Sequence, residues 1–147
     1  VLLSAAALSL VLADCSQPEQ KAPEAPKAEP RALAGVDLDQ PVHVLGTEPF
    51  WAVEITPQGL TYSGVDRAEQ KAANPGPTLQ GNLVSWTTKT EAGADLTVTL
   101  TATDCSDGMS DRTYPLTAKV EIGGETLTGC AAATAAIERA GESGRVE

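Results

Sequence analysis

Aromatic side chains are scarce: of 147 residues only Phe50, Trp51, Tyr62, Trp86 and Tyr114 carry a ring. A core with so few rings has to be built from Val, Leu, Ile and Ala, and is therefore small. Positive charge is scarcer than negative, ten Lys and Arg against twenty Asp and Glu, for a net charge of −10. Phosphate backbones require a basic footprint, so nucleic acid is excluded as a partner. An acidic surface instead speeds encounter with a basic one. There is a single His, His43, no Cys-x-x-Cys and no Gly-x-Ser-x-Gly. The chain thus lacks the usual metal-thiolate spacing and the nucleophile elbow of hydrolases. No glycine-rich phosphate loop occurs, and no apolar run approaches the roughly 20 residues that span a bilayer. Cofactors and resident metals are accordingly not expected.

What is present falls into four stretches. Residues 1–14 include the uncharged run VLLSAAALSLVLA, about the length of a signal-peptide apolar core. No Met or basic residue precedes it, so the n-region is expected to be missing from this sequence. Leu12-Ala13-Asp14-Cys15 resembles the bacterial lipobox, whose cysteine is lipidated; Asp14 stands where that pattern has a small residue. The resemblance implies a lipid anchor at Cys15 and a protein held on the envelope membrane, facing the periplasm. Cleavage after Ala13 would instead leave a soluble secreted protein, and a buried core helix is the structural alternative for the run.

Residues 15–34 change texture. Ser16 to Ala32 holds four prolines, three Glu and three Lys or Arg, with no aromatic or β-branched residue. Such a segment cannot bury enough apolar surface to offset its chain entropy. At 3.1 Å per residue it makes a leash of about 50 Å.

Residues 35–131 alternate with period 2 and predict an all-β domain of about seven strands. The expected strands are 42–45, 51–55, 60–63, 82–88, 95–103, 116–122 and 125–130, with 65–77 as a loop. Leu96, Val98, Leu100 and Ala102 alternate with Thr97, Thr99, Thr101 and Thr103 in the clearest of them. Gly123-Gly124 predicts a tight hairpin. No helix-period segments separate the strands, so the sheet is expected to be an antiparallel meander, either barrel-like or strongly curved. Residues 132–147 form a C-terminal tail, with a helical turn or two before Ala140 and fraying from Gly141.

Of three cysteines, lipidation of Cys15 leaves Cys105 and Cys130 as an even pair, which an oxidising compartment would join. A closed loop of about 25 residues contributes roughly 3 kcal/mol. In a three-strand meander the two would sit about 10 Å apart, beyond disulfide reach of about 7 Å. Either the loop from Cys105 folds across the strand ends or the strands close together. A reactive or metal-binding thiol pair is the alternative.

Two stretches carry a resemblance: Gly46-Thr-Glu-Pro-Phe-Trp51, and Cys105-Ser-Asp-Gly-Met-Ser-Asp-Arg-Thr-Tyr-Pro115 with Leu127-Thr-Gly-Cys130. Together they resemble an uncharacterised family of bacterial envelope proteins, commonly lipoproteins and sometimes fused to META/HslJ-like or lysozyme-inhibitor-like β-domains. The resemblance covers about Val42 to Ala131 and implies an exported β-domain in a Gram-negative bacterium, with no assigned activity. Glu48, Phe50 and Trp51 form one candidate ligand platform; Trp51 is also read as a core residue. Ser106, Asp107, Ser110, Asp111, Arg112 and Tyr114 form a candidate binding loop. Asp104, Asp107 and Asp111 do not match a calcium loop, because no bidentate Glu closes twelve residues. Asp111 and Arg112 are expected instead to tie the loop to its own backbone. Ser106, Ser110, His43 and the aspartates supply the residue types of a hydrolytic triad without its sequence context.

The expected function is therefore a non-enzymatic envelope lipoprotein that binds an unidentified envelope protein or small ligand through the Cys105–Pro115 loop. A periplasmic inhibitor of c-type lysozyme, acting through Ser106, Ser110 and Arg112, is the second reading. A purely structural envelope protein is the third.

Overall fold

Alternation dictates the architecture that the computed structural model shows for residues 31–147. Nine antiparallel strands curl into a half-barrel: β3 (Val42–Thr47), β4 (Phe50–Thr56), β5 (Gly59–Gly64), β6 (Gln70–Ala73), β7 (Thr78–Gln80), β8 (Leu83–Lys89), β9 (Asp95–Thr101), β11 (Leu116–Ile122) and β12 (Glu125–Ala133). Their spatial order is β6-β5-β4-β3-β12-β11-β9-β8-β7. The first and last long strands, β3 and β12, are therefore neighbours, with Cys130 opposite Leu45 and Ala133 opposite Val42. Ahead of the sheet a hairpin joins β1 (Ala32–Leu33) to β2 (Val36–Asp37), so ordered structure begins within the stretch expected as linker. Cys15 lies outside the described residues.

Every second residue of the long strands points to the concave side. Val42, Val44, Trp51, Val53, Ile55, Leu60, Tyr62, Val84, Trp86, Leu96, Val98, Leu100, Ala118 and Val120 form one continuous core there. Trp51 and Trp86 share it, as their strand parity predicts, and Trp86 is completely buried. Gly46 belongs to the same face. A side chain at that position would overlap the Trp51 indole, so glycine is required for the ring to lie flat against β3.

The expected loop over 65–77 is corrected in part. Within it, Gln70–Ala73 pairs with β5, and Ala72 bridges to Thr90 just beyond β8. The Glu91 amide reaches the Lys71 carbonyl at 2.8 Å and the Thr88 hydroxyl reaches that of Ala73 at 3.1 Å. Segment 70–80 thus runs along the free side of β8, first as β6 and then as β7, and brings the two edges of the curled sheet together. Asn74 sits at the break, donating to the Thr56 carbonyl at 2.7 Å and accepting from the Gly76 amide at 2.7 Å.

The frayed tail expected from Gly141 is also corrected. After α1 (Thr134–Arg139), β13 (Ser143–Arg145) pairs in parallel with β10 (Asp111–Thr113), and Val146 is buried behind it. Parallel pairing leaves no local sequence signature, because its partner lies some thirty residues away. Among the described residues no helix is long and apolar enough to cross a membrane.

Candidate functional site

Cys105 and Cys130 are joined, with Cα atoms 5.5 Å apart. Of the two geometries that could bring them together, the loop takes the first. After β9 it crosses the outer face of β11, and Cys105 pairs with Tyr114 through two backbone hydrogen bonds of 2.9 and 2.8 Å. The crossing leaves a groove of about 520 Å³ on the convex side of the sheet, within the size range of small-ligand sites. Its floor is Leu45, Thr117, Thr128 and Gly129; one wall is Gly46 to Glu48 and the other Cys105 to Met109.

Segments far apart in sequence, Gly46 to Glu48, Cys105 to Met109 and Thr128 to Gly129, therefore meet in one place. Thr47 and Asp107, sixty residues apart, are tied directly: the Thr47 hydroxyl donates to the Asp107 carbonyl at 2.9 Å. Gly129 makes the seam possible. A Cβ there would overlap the Leu45 carbonyl oxygen, so only glycine lets β12 approach β3 this closely beneath the groove.

Asp107 organises the loop. Its Oδ1 accepts the amides of Met109 and Ser110 at 2.9 and 2.8 Å, and its Oδ2 accepts the Ser110 and Tyr114 hydroxyls at 2.8 and 3.1 Å. Partial burial opposes the charge, but these four donors outweigh it and hold the carboxyl down to about 2. Burial pushes the Tyr114 phenol up, and Asp107 adds to that rise. The expected knot around Asp111 and Arg112 is thus corrected: it is centred on Asp107.

The remaining loop candidates divide. Ser106 lines the groove, its hydroxyl accepting the Gly108 amide at 3.2 Å. Asp111 is exposed at the start of β10. Arg112 points away from the groove; its Nε donates to the Gly141 carbonyl at 2.6 Å and an Nη to that of Ala140 at 3.5 Å. It serves the carbonyls just past α1, where a cation is well placed. Tyr114 is buried in a second, smaller core with Cys130, Ala132, Ala136 and Val146. Of the platform residues, Glu48 lines the groove in the two-residue turn between β3 and β4, Phe50 is 55% exposed and Trp51 is buried. Phe50 pairs with Thr47 across the ladder, so both side chains stand on the convex face. Met109, 68% exposed, extends the opposite wall and was not singled out by sequence; a lone Met in a turn carries no periodic signal.

The triad residue types are not assembled. His43 Nδ1 lies 2.7 Å from Glu54 Oε2, and the other Glu54 oxygen accepts the Thr134 hydroxyl at 2.6 Å. The hydroxyl meets the carboxylate rather than the imidazole, and Ser110 is bonded to Asp107 instead. Among the described residues no three His, Cys, Asp or Glu side chains converge to hold a metal ion. Asp104 pairs with Arg145 at 3.0 Å rather than turning toward Asp107.

No protein-family model, curated protein or solved structure matches the chain.

Proposed function

We propose that the protein is a non-enzymatic lipoprotein of the bacterial cell envelope, facing the periplasm, whose stapled β-domain binds a partner in the convex groove. The supporting observation is the convergence at that groove: Gly46–Glu48, Cys105–Met109 and Thr128–Gly129 wall it together. Leu12 to Cys15 and the proline-rich leash support the anchor, and the disulfide is compatible with an oxidising compartment. The inhibitor reading depended on Ser106, Ser110 and Arg112. Ser110 and Arg112 are committed to Asp107 and to the end of α1, so no observation favours it over a general binding module.

The test is site-specific photo-cross-linking in cells of the natural source. A benzoylphenylalanine is placed at Ser106 or Thr128 in the groove, or at Thr87, exposed on β8 away from it. A discrete adduct from the groove positions alone supports the reading. Equal cross-linking at all three positions, or none, sinks it. Loss of palmitate incorporation in Cys15→Ala checks the anchor separately.

A further inference from the structure

The groove carries charge of one sign. Glu48 and Asp107 line it, and no Lys, Arg or His does. The two carboxylates are not equivalent. Asp107 has four donors and nothing left to offer. Glu48 is exposed and makes no ion pair among the described residues, whereas Asp39, Glu54, Asp95, Asp104 and Glu125 each face a cationic or imidazole partner. One of the few large apolar side chains left in solvent, Met109, lines the wall facing Glu48. Hydroxyls of Thr117, Thr128 and Ser106 complete the surface.

These features exclude some ligands and fit one class. An anion would meet two carboxylates and a chain of net charge −10 with no compensating cation. A cation on an apolar stem meets a free carboxylate for its head and a thioether for its stem. A guanidinium brings five fixed donors to a groove with hydroxyl acceptors and one free carboxylate, with which it pairs through two parallel bonds. We propose that the groove receives a single basic side chain, arginine foremost, presented by a basic protein partner, with Glu48 as its counter-charge and Met109 against its stem. This rests on the binding-module reading and specifies its partner. The acidity of the rest of the chain draws such a partner in and makes capture salt-sensitive.

The test is an NMR titration of the whole 15N-labelled chain with three probes: N-acetyl-arginine amide, its neutral isostere N-acetyl-citrulline amide, and chitotriose. The expected result is saturable shifts from the arginine probe at the amides of Thr47, Glu48, Ser106 to Met109, Thr128 and Gly129. Citrulline should bind about 2- to 5-fold more weakly, the range of an exposed ion pair. Glu48→Gln should reduce arginine binding to the citrulline level and leave the rest of the spectrum unchanged, since Glu48 lies in an exposed turn. Added salt should weaken arginine binding only in the unsubstituted protein. The proposal is overturned by no arginine response, by equal response to arginine and citrulline, or by shifts spread over the acidic surface and indifferent to Glu48→Gln. Groove shifts from chitotriose without arginine shifts would overturn it in favour of a polyhydroxyl ligand. Cross-linked adducts at Ser106 and Thr128 alongside a failed arginine titration would remove the basic-partner assignment and leave the binding module standing.

Discussion

The two faces of β12 are buried in different ways. Leu127 and Ala131 point into the half-barrel, where Trp86 and Leu, Ile and Val side chains fill the space. Cys130 and Ala132 point outward, beneath Tyr114, α1 and the segment ending at Val146. The inner region is large, apolar and built from strands whose pattern alone selects the buried face. The outer region has few large side chains, and its covering segments have no common period. It is held instead by named bonds: the disulfide, the Asp107 knot, the Arg112 grip on the end of α1 and the parallel β10–β13 pair. Burial of area specifies a core wherever there is enough of it; where there is not, covalent and polar contacts set the geometry.

The largest effect should come from the inner region. Trp86→Ala opens a cavity at a fully buried position and should cost about 3–5 kcal/mol. Because the outer layer rests on β12, urea unfolding followed by far-UV circular dichroism and by exchange at residues 105–146 should shift together. A variant in which the outer layer alone survived would break the hierarchy.

Cys105→Ser with Cys130→Ser should cost about 3 kcal/mol. Hydrogen exchange should accelerate first at residues 105–115 and 134–146, with β8 and β9 little changed. Uniform acceleration over both regions would show them to be one cooperative unit.

Gly129→Ala sits where the two regions meet. Overlap with the Leu45 carbonyl should cost about 1–3 kcal/mol, the range of overpacked sites, and move β12 away from β3. Thermal melting measures the cost. Amide shifts at Leu45 and Gly46 show whether the seam opens, and an unchanged melting temperature would refute the requirement for glycine.

Asp107→Asn should be the mildest, on the order of 1 kcal/mol, since an amide keeps Oδ1 for the two backbone amides and replaces Oδ2, the acceptor of both hydroxyls, with an NH2 to which those hydroxyls must turn as acceptors. The carboxyl titrates at about 2 in the folded chain against an ordinary 3.8. Its contribution is therefore fully present above about pH 4 and lost as pH falls toward 2. The acid limb of a pH–stability curve should be shallower over that interval in Asp107→Asn, and an unchanged limb would contradict the assignment.

The same division explains what could be read from the sequence. Asp95–Thr101 and Leu116–Ile122 alternate cleanly, and their inward faces are those the pattern predicts. The closing segment was hidden. Gln70–Ala73 has no β-branched residue and is a strand because β5 and the end of β8 hold it from either side. Ser143–Arg145 has no apolar pattern at all. At the groove, the loop itself was visible from its turn residues and its cysteine, but the direction of each side chain was not. Arg112 and Tyr114 read as members of a candidate binding loop; the return of the chain past α1 turns one to a helix end and buries the other.

The β3–β12 seam has a kinetic consequence. It joins strands some ninety residues apart, so the inner face of β3 to β6 has no complete cover until nearly the whole chain is available. Closing such a distant pair spends loop entropy before its contacts return any stability, which slows folding. A ribosome or a translocation pore releasing this chain from its N-terminus would therefore hold a half-built sheet that cannot shut until residue 133 has emerged.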